Sequence, residues 1–484
     1  MPTRKKLAFD VDPSLAAVLD APDDLEARAR HAAHLRAAGS PLGDYVELSA
    51  AIVSARPPER FALVERAEAL WRSHGTEWLA GWARPSFETL RLHAGLPREL
   101  GFGKNKPSLP DVARVIATTP VTALRFRDTA LGTLKPVLAM TGSERMRALS
   151  FSLRPGAGVI AALAQHPWPR LTELAFGVTP PTDAELAAML AVMPSLERLD
   201  GAFGIGALSS WPGVAQLQHL RSSGSLSTAH LTQIPGLAVE SLGAAMLSAE
   251  DRGPFPTVRS LALSAAGGLR RGLLPPFPGL IRLTLPVPGR GDFDEELLEE
   301  LAEAPVWEQL ESFRFGGVAG SVAWMGQRVL PRCGRLRSLS VRSSPALPEV
   351  LASLASLESL SIDSSQLRDN PPCPVDDALL ARIAPSLSPR LRELTILGDF
   401  GIDGVRALVA AAPPELERVC LSSRRFDAEC VEALRSLGSV THIELVAYDF
   451  ESFARLSAAS RGRFLGPKAG MVGPQRAPIW SHES

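Results

Sequence analysis

The sequence has few of the residues that build covalent or metal-centred chemistry. Its four cysteines, Cys333, Cys373, Cys420 and Cys430, include no C-x-x-C pair, and no histidine stands at zinc-finger spacing from them. That argues against a disulfide framework or a structural zinc site, and fits reduced thiols in a cytoplasmic protein. No apolar run reaches the roughly 18 residues a membrane span needs. Asp10 and Asp12 interrupt the stretch after Thr3-Arg4-Lys5-Lys6, which argues against a general secretory signal. A formal net charge of −1 over 484 residues supplies no basic field for nucleic acid or an anionic membrane. Lysine is scarce: it makes up 6 of the 51 basic residues, a skew typical of a GC-rich bacterial genome. Catalytic signatures are missing too. Gly101-Phe-Gly-Lys-Asn-Lys106 lacks the spacing and Ser/Thr of a P-loop and reads as a turn leading into a sheet. Gly201-Ala-Phe-Gly-Ile-Gly206 is no dinucleotide fingerprint, and neither G-x-S-x-G nor H-E-x-x-H occurs. The expectation is a non-enzymatic chain with no cofactor and no metal.

What the sequence does have is a phrase, apolar-x-x-apolar-x-apolar. It reads Val121-Thr-Ala-Leu124-Arg-Phe126, Met146-Arg-Ala-Leu149-Ser-Phe151, Leu336-Arg-Ser-Leu339-Ser-Val341 and Leu391-Arg-Glu-Leu394-Thr-Ile396, among others. Fourteen such units begin between Val121 and Val440, at a mean interval of about 24.5 residues. That interval falls in the ~20–29-residue range of leucine-rich repeats. A unit this short cannot bury its own apolar face and must stack on its neighbours. The phrase predicts a short parallel strand with its apolar residues inward. Helix-like stretches follow at Thr182–Met193, Asp294–Ala304, Val375–Ile383, Ile402–Ala412 and Asp427–Leu437. The fold class is therefore α/β: a leucine-rich-repeat solenoid with a parallel concave sheet and a mixed helical and turn convex side, preceded by a small all-α module. The units at Leu196, Leu217 and Val239 lack the third apolar residue and are the weakest. The Asn that often follows the strand in such repeats is also missing; Thr129, Arg154, Thr179, Ser344 and Arg424 stand there instead. Hydroxyls, backbone or water must then satisfy the turn.

Residues 1–90 lack the phrase and read as four helices. Asp23 and Asp24 precede Leu25–Ala38, and Asp44 is placed to cap Tyr45–Ala55. The last helix runs from Glu59 to His74, with Gly75 as its stop. His31 and His34 share a helix face, and surface or groove packing is the expected role. Three stretches carry a family resemblance: Leu15-Ala-Ala-Val-Leu-Asp-Ala-Pro-Asp-Asp24, His31-Ala-Ala-His-Leu-Arg-Ala-Ala-Gly-Ser-Pro-Leu-Gly-Asp-Tyr-Val-Glu-Leu48 and His74-Gly-Thr-Glu-Trp-Leu79. Together they resemble a bacterial repeat-companion domain over residues 12–82. That family usually has Tyr-Ala-Asp-Trp-Leu where this chain has His31-Ala-Ala-His-Leu35. The resemblance implies architecture, a helical module ahead of leucine-rich or similar repeats, and no mechanism. The expected organisation is a helical module over 1–90, a capped repeat array over 91–456 that Tyr448–Leu456 closes, and a disordered tail over 457–484.

Function is expected at the outward strand positions. The candidate partner-binding residues are Arg125, Arg314, Ser338, Ser340, Arg342, Ser359, Ser361, Glu393, Arg418, His442 and Glu444. Between Ser312 and Ser361 they are small and hydroxyl-bearing, which gives a low floor that a partner's backbone can approach. The expected partner is a protein or peptide, with no nucleic acid and no membrane. A scaffold is the first reading; an accessory subunit that positions a substrate for a separate enzyme is the alternative. One position earlier, Glu311, Arg337, Glu358, Arg392 and Glu417 alternate in sign. Strands about 4.8 Å apart would let them form a ladder of ion pairs.

Overall fold

A computed structural model describes residues 11–446 except 56–58, 83–86, 104–107, 128–135, 139, 141–142, 153–156, 178–180, 202, 204–205, 228–230, 233, 249–254, 264–273, 275–276, 286–294, 318, 365–374, 438–439 and 441. The expected closing segment Tyr448–Leu456 and the tail 457–484 lie outside the described residues. Two units are distinguished, one of Met1–Gly224 with His230–Glu240 and one of Ser225–Ala229 with Ser241–Ser484.

The first unit starts with four helices: α1 (Pro13–Asp20), α2 (Leu25–Ala37), α3 (Pro41–Ser54) and α4 (Glu59–Gly81). Aspartates open the first two. Asp12 accepts from the Ser14 and Leu15 amides, and Asp24 from those of Glu26 and Ala27, so each satisfies amides that the helix itself leaves bare. Two boundaries differ from expectation. Helix α3 starts four residues before Tyr45, because Pro41 suits a first helical turn; Asp44 lies within that turn and is not its cap. Helix α4 runs through Gly75, which packs against Trp71: a Cβ there would come within 2.9 Å of the indole ring. Trp71, Tyr45 and Trp78 form one aromatic cluster with ring centroids 4.9–5.9 Å apart. The glycine thus serves packing, not termination.

An antiparallel hairpin, β1 (Thr89–His93) and β2 (Leu96–Phe102), follows. Gly101 and Phe102 lie inside β2, so the expected turn at 101–106 is strand at its start. Arg28 of α2 is fully buried and ties the helices to this hairpin. Its Nε donates to the Pro22 carbonyl at 2.8 Å, and one terminal nitrogen donates to the carbonyls of His93 and Ala94 at 2.7 and 3.1 Å. Burial, then the charge of Arg98, pulls its pKa down to about 10. The α1–α2 connection reaches further: Asp23 pairs with Arg98 and, at 2.5 Å, with Arg147, while Arg170 donates to the Asp20 carbonyl at 3.3 Å. One short loop therefore contacts the hairpin strand β2 and the segments that open β4 and β5.

Helix α5 (Leu109–Thr118) leads into parallel strands β3 (Ala123–Phe126), β4 (Ala148–Phe151), β5 (Glu173–Ala175), β6 (Arg198–Gly201) and β7 (His219–Ser227). The second apolar residue of each phrase is in register, Leu100 with Leu124, Leu149, Leu174, Leu199 and Leu220. At the third position Phe102, Phe126, Phe151 and Phe176 stack with centroids 4.8, 5.6 and 5.9 Å apart. Each such contact contributes about 0.5–1.5 kcal/mol beyond area burial. The stack stops at Gly201, whose φ is +124° and where a Cβ would run into the Phe176 carbonyl. The weak central units are thus true repeats: Gly201, Ser222 and Ala244 are buried at the third position in β6, β7 and β8 (Ser241–Ser248).

The second unit holds β8 and, with the same pattern, β9 (Ser260–Leu263), β10 (Arg282–Leu285), β11 (Ser312–Phe315), β12 (Ser338–Arg342), β13 (Ser359–Asp363), β14 (Glu393–Leu397), β15 (Arg418–Ser422) and β16 (His442–Val446), each parallel to the next. Helices Glu295–Glu303, Ala319–Arg328, Asp377–Ile383, Ile402–Ala410 and Ala428–Arg435 lie between strands. The chain is an α/β leucine-rich-repeat array. In both units the carbonyl of the second residue in the phrase repeatedly accepts two amides of the next repeat, ten times among the described residues. Glu311 accepts from Arg337 and Ser338, and Arg337 from Glu358 and Ser359, at 2.8–3.0 Å. Serine hydroxyls take over at turns. Ser423 donates to the Phe400 carbonyl at 2.6 Å and accepts from the Arg425 amide at 3.1 Å. Ser344 accepts from the Ala346 amide at 3.3 Å.

Asp377 joins three repeats. Its carboxylate accepts the Gly401 and Gly404 amides at 2.8 Å each and a guanidinium nitrogen of Arg425 at 2.6 Å. Burial alone would raise its pKa; these donors outweigh it, so the pKa falls below the ordinary aspartate value.

Two outcomes follow. Phe126→Ala removes the middle of the stack and lowers unfolding free energy by about 3–5 kcal/mol, whereas the exposed Arg125→Ala changes it by less than ~0.5 kcal/mol; hydrogen exchange across β2–β4 resolves the two. Asp377→Ala costs about 1.5–3 kcal/mol near neutral pH. Because the folded pKa is depressed, that contribution is complete above the unfolded-state pKa and is lost as pH falls through the folded value. Denaturant melts across acidic pH should therefore show wild type and variant converging.

Candidate functional site

Alternation along each strand sends the second and third apolar residues of the phrase into the core, and those before and after the second outward. Constant register then lines the outward residues of the second unit into rows. The first row is Ser260, Arg282, Ser312, Ser338, Ser359, Glu393, Arg418 and His442; the second is Ala262, Thr284, Arg314, Ser340, Ser361, Thr395, Cys420 and Glu444. Behind the four central serines lie the buried Leu339, Val341, Leu360 and Ile362. These serines are only partly exposed and form a shallow hydroxyl floor across β12 and β13.

Ten of the sequence-derived candidates fall on β11–β16 of this unit. Arg125 does not: it is an exposed residue of β3 in the first unit, between Gly101 and Ser150. His442 and Glu444 are placed by backbone register, opposite Arg418 and Cys420. The arginines divide into two kinds. Arg418 donates to Glu393 at 2.9 Å, and the Ser359 hydroxyl lies 3.5 Å from the other carboxylate oxygen, so these candidates satisfy one another. Arg342 stands opposite Asp363. Arg314 is exposed, and among the described residues it has no hydrogen-bond or ion-pair partner. The same is true of Arg282, which the sequence reading missed. It occupies the outward place in Leu280-Ile-Arg282-Leu283-Thr-Leu285, and lining up that phrase with its neighbours would have found it.

The charge ladder forms only in part. Arg337 pairs with Glu358 at 3.6 Å, but Arg392 turns to Glu415 at 3.5 Å. Glu415 precedes the next phrase and competes with Glu358 and Glu417 for the same guanidinium.

Burial pushes the Cys333 thiol up to about 12 and that of Cys430 up to about 11, so neither supplies a thiolate near neutral pH. Cys420 is partly exposed on the second row. His31, expected at a surface or groove, is buried, and its Nδ1 lies 3.0 Å from the Ser14 hydroxyl, which bonds to Asp12. Serine stands between the carboxylate and the imidazole there, whereas a nucleophilic triad needs the imidazole in the middle; Asp12 is moreover engaged as the cap of α1. In the first unit Asp200 faces Arg221 at 3.9 Å on the open side of the sheet. Burial raises its pKa, and Arg221 and Arg198 counteract that. Among the described residues no group of three or more His, Cys, Asp or Glu could hold a metal ion, and no helix is long and apolar enough to cross a membrane.

No protein-family model matches the sequence, and no curated protein does. Among solved structures, the chain is similar to an internalin (InlF) from Listeria monocytogenes strain 4b F2365. The identity is 12% over 71% of this chain and 86% of that one, with a TM-score of 0.27. It is also similar to TLR13 in its complex with ssRNA13, at 13% identity over 75% of this chain and 56% of that one, with a TM-score of 0.31.

The Glu393–Arg418 pair is exposed, so a double-mutant cycle to alanine should give a coupling of only about 0.2–1 kcal/mol that shrinks with added salt. A larger, salt-insensitive coupling would show the pair to be a structural element of the sheet.

Proposed function

We propose that this chain is a non-enzymatic interaction scaffold that binds a protein or peptide on the open, concave face of its repeat sheet. The observation that carries this reading is the in-register floor of Ser338, Ser340, Ser359 and Ser361. Such short side chains let a partner approach closely and offer hydroxyls that can donate or accept. A repeat array favours the same conclusion on general grounds, since stacked units present a continuous surface with no deep pocket. Residues 12–82 are proposed to be a helical companion module that caps the array, supported by the contacts of Arg28 and Asp23 with the hairpin and the first repeats.

The test uses random-peptide display on the full chain, followed by affinity measurement. Filling the floor with Ser340→Trp and Ser361→Trp should weaken selected peptides at least about tenfold, because a bulky side chain removes the close approach. Arg406→Glu, on the helix side, should leave affinity within about twofold, as changes outside an interface do. If the floor variant binds as wild type does, the open-face reading is wrong.

A further inference from the structure

The open-face reading leaves the partner's chemistry undefined; the charges on that face define it. Each concave arginine from β12 onward stands beside a carboxylate: Arg342 opposite Asp363, and Arg418 on Glu393. Arg282 and Arg314 do not. On the sheet, Arg282 is flanked by Ser260 and Ser312, and Arg314 by Thr284 and Ser340. Their neighbours along the strands are Thr284 and Ser312. Each of these flanking positions carries a hydroxyl, and none of them, nor the diagonal neighbour Ala262, carries a carboxylate. The nearest acidic residue of the first row, Glu393, is three strands from β11, or roughly 14 Å at parallel-strand spacing. Among the described residues these two positive charges thus have no carboxylate partner, and they stand beside a surface of hydrogen-bond donors.

Their spacing adds a second constraint. Arg282 and Arg314 are diagonal neighbours, one strand and one outward position apart, so their Cα atoms are separated by about 7–8 Å. Alternate side chains of an extended peptide are about 6.6–7 Å apart. Two carboxylates at positions i and i+2 of such a peptide can reach both guanidinium groups, each of which can grip a carboxylate with two parallel hydrogen bonds. The serines and threonines beside them can donate to remaining lone pairs. A nucleic acid fits less well: it draws its affinity from many phosphate contacts and from stacked bases. From β9 to β13 these rows offer, among the described residues, two arginines without an ion-pair partner and no Phe, Tyr, Trp or His.

We propose that the β9–β13 part of the open face recognises an extended acidic peptide segment, with carboxylates at alternate positions held by Arg282 and Arg314 over the hydroxyl floor. This rests on the open-face reading and refines it.

The test measures fluorescence anisotropy of labelled alternating Gly-Glu, Gly-Gln and Gly-Lys peptides, and of a thymidine oligonucleotide, against the full chain. The Gly-Glu peptide should bind, weaken with salt, and lose at least about tenfold in affinity with Arg282→Glu/Arg314→Glu. Arg282→Gln/Arg314→Gln should fall between that variant and wild type, and circular dichroism should show all three equally folded. The proposal is overturned if the Gly-Glu peptide binds no better than Gly-Gln, if charge reversal leaves it unchanged, or if the oligonucleotide binds more tightly through the same arginines. Display-selected peptides separate the two claims. Peptides that lose binding with Ser340→Trp/Ser361→Trp but not with charge reversal would overturn the acidic assignment and keep the open face. Peptides indifferent to both variants would overturn both.

Discussion

In ten repeats among the described residues one backbone carbonyl accepts two amides from the next, and the rest of the array depends on that arrangement. Thr122, Arg147, Thr172 and Glu197 do this in the first unit, and Arg259, Ile281, Glu311, Arg337, Glu358 and Arg392 in the second. A carbonyl oxygen has two lone pairs, so both bonds can form at ordinary length. The two amides belong to the second and third residues of the following phrase. Fixing two consecutive residues against one atom leaves no freedom for a one-residue slip, which would turn every core side chain to the surface. Register is therefore set anew at the start of each strand that such a carbonyl precedes, whatever the length of the segment before it.

Other contacts add stability to this frame in ways that differ along the chain. The first unit relies on stacked phenylalanines until Gly201 interrupts them, and on one loop, Asp20–Asp24, that bonds to arginines 75–150 residues away. The second relies on serines that bind turn backbone, and on Asp377, which links the starts of neighbouring helices. The serines and Asp377 are substitutes for a regular asparagine at each turn. They meet the same demand, that backbone groups turned away from water find partners.

The fold was legible because its signal is repetitive: fourteen chances to read one phrase outweigh three poor copies. The poor copies are intelligible only in three dimensions, since nothing in the letters Leu199-Asp200-Gly201 announces a positive φ pressed against the Phe176 carbonyl. Helix ends were misread where glycine serves packing, as at Gly75. The Asp23 and Arg28 contacts were illegible because their partners are distant in sequence. The surface was legible as positions and not as partnerships. Arg314 and Arg418 occupy comparable outward places, yet one is free among the described residues and the other is held by Glu393. That difference depends on the neighbouring strand, so it can be read only once register is known.

Surface chemistry in such an array follows from register, because each outward residue acquires its neighbours from the strands beside it. The most direct test of that claim is residue-resolved amide hydrogen exchange at the strand starts. The shared-carbonyl arrangement predicts that both members of each pair, Arg337 and Ser338, Glu358 and Ser359, Arg392 and Glu393, Glu417 and Arg418, exchange slowly and together. Exchange of one member of each pair at the rate of an unprotected amide, with strand interiors still protected, would contradict it.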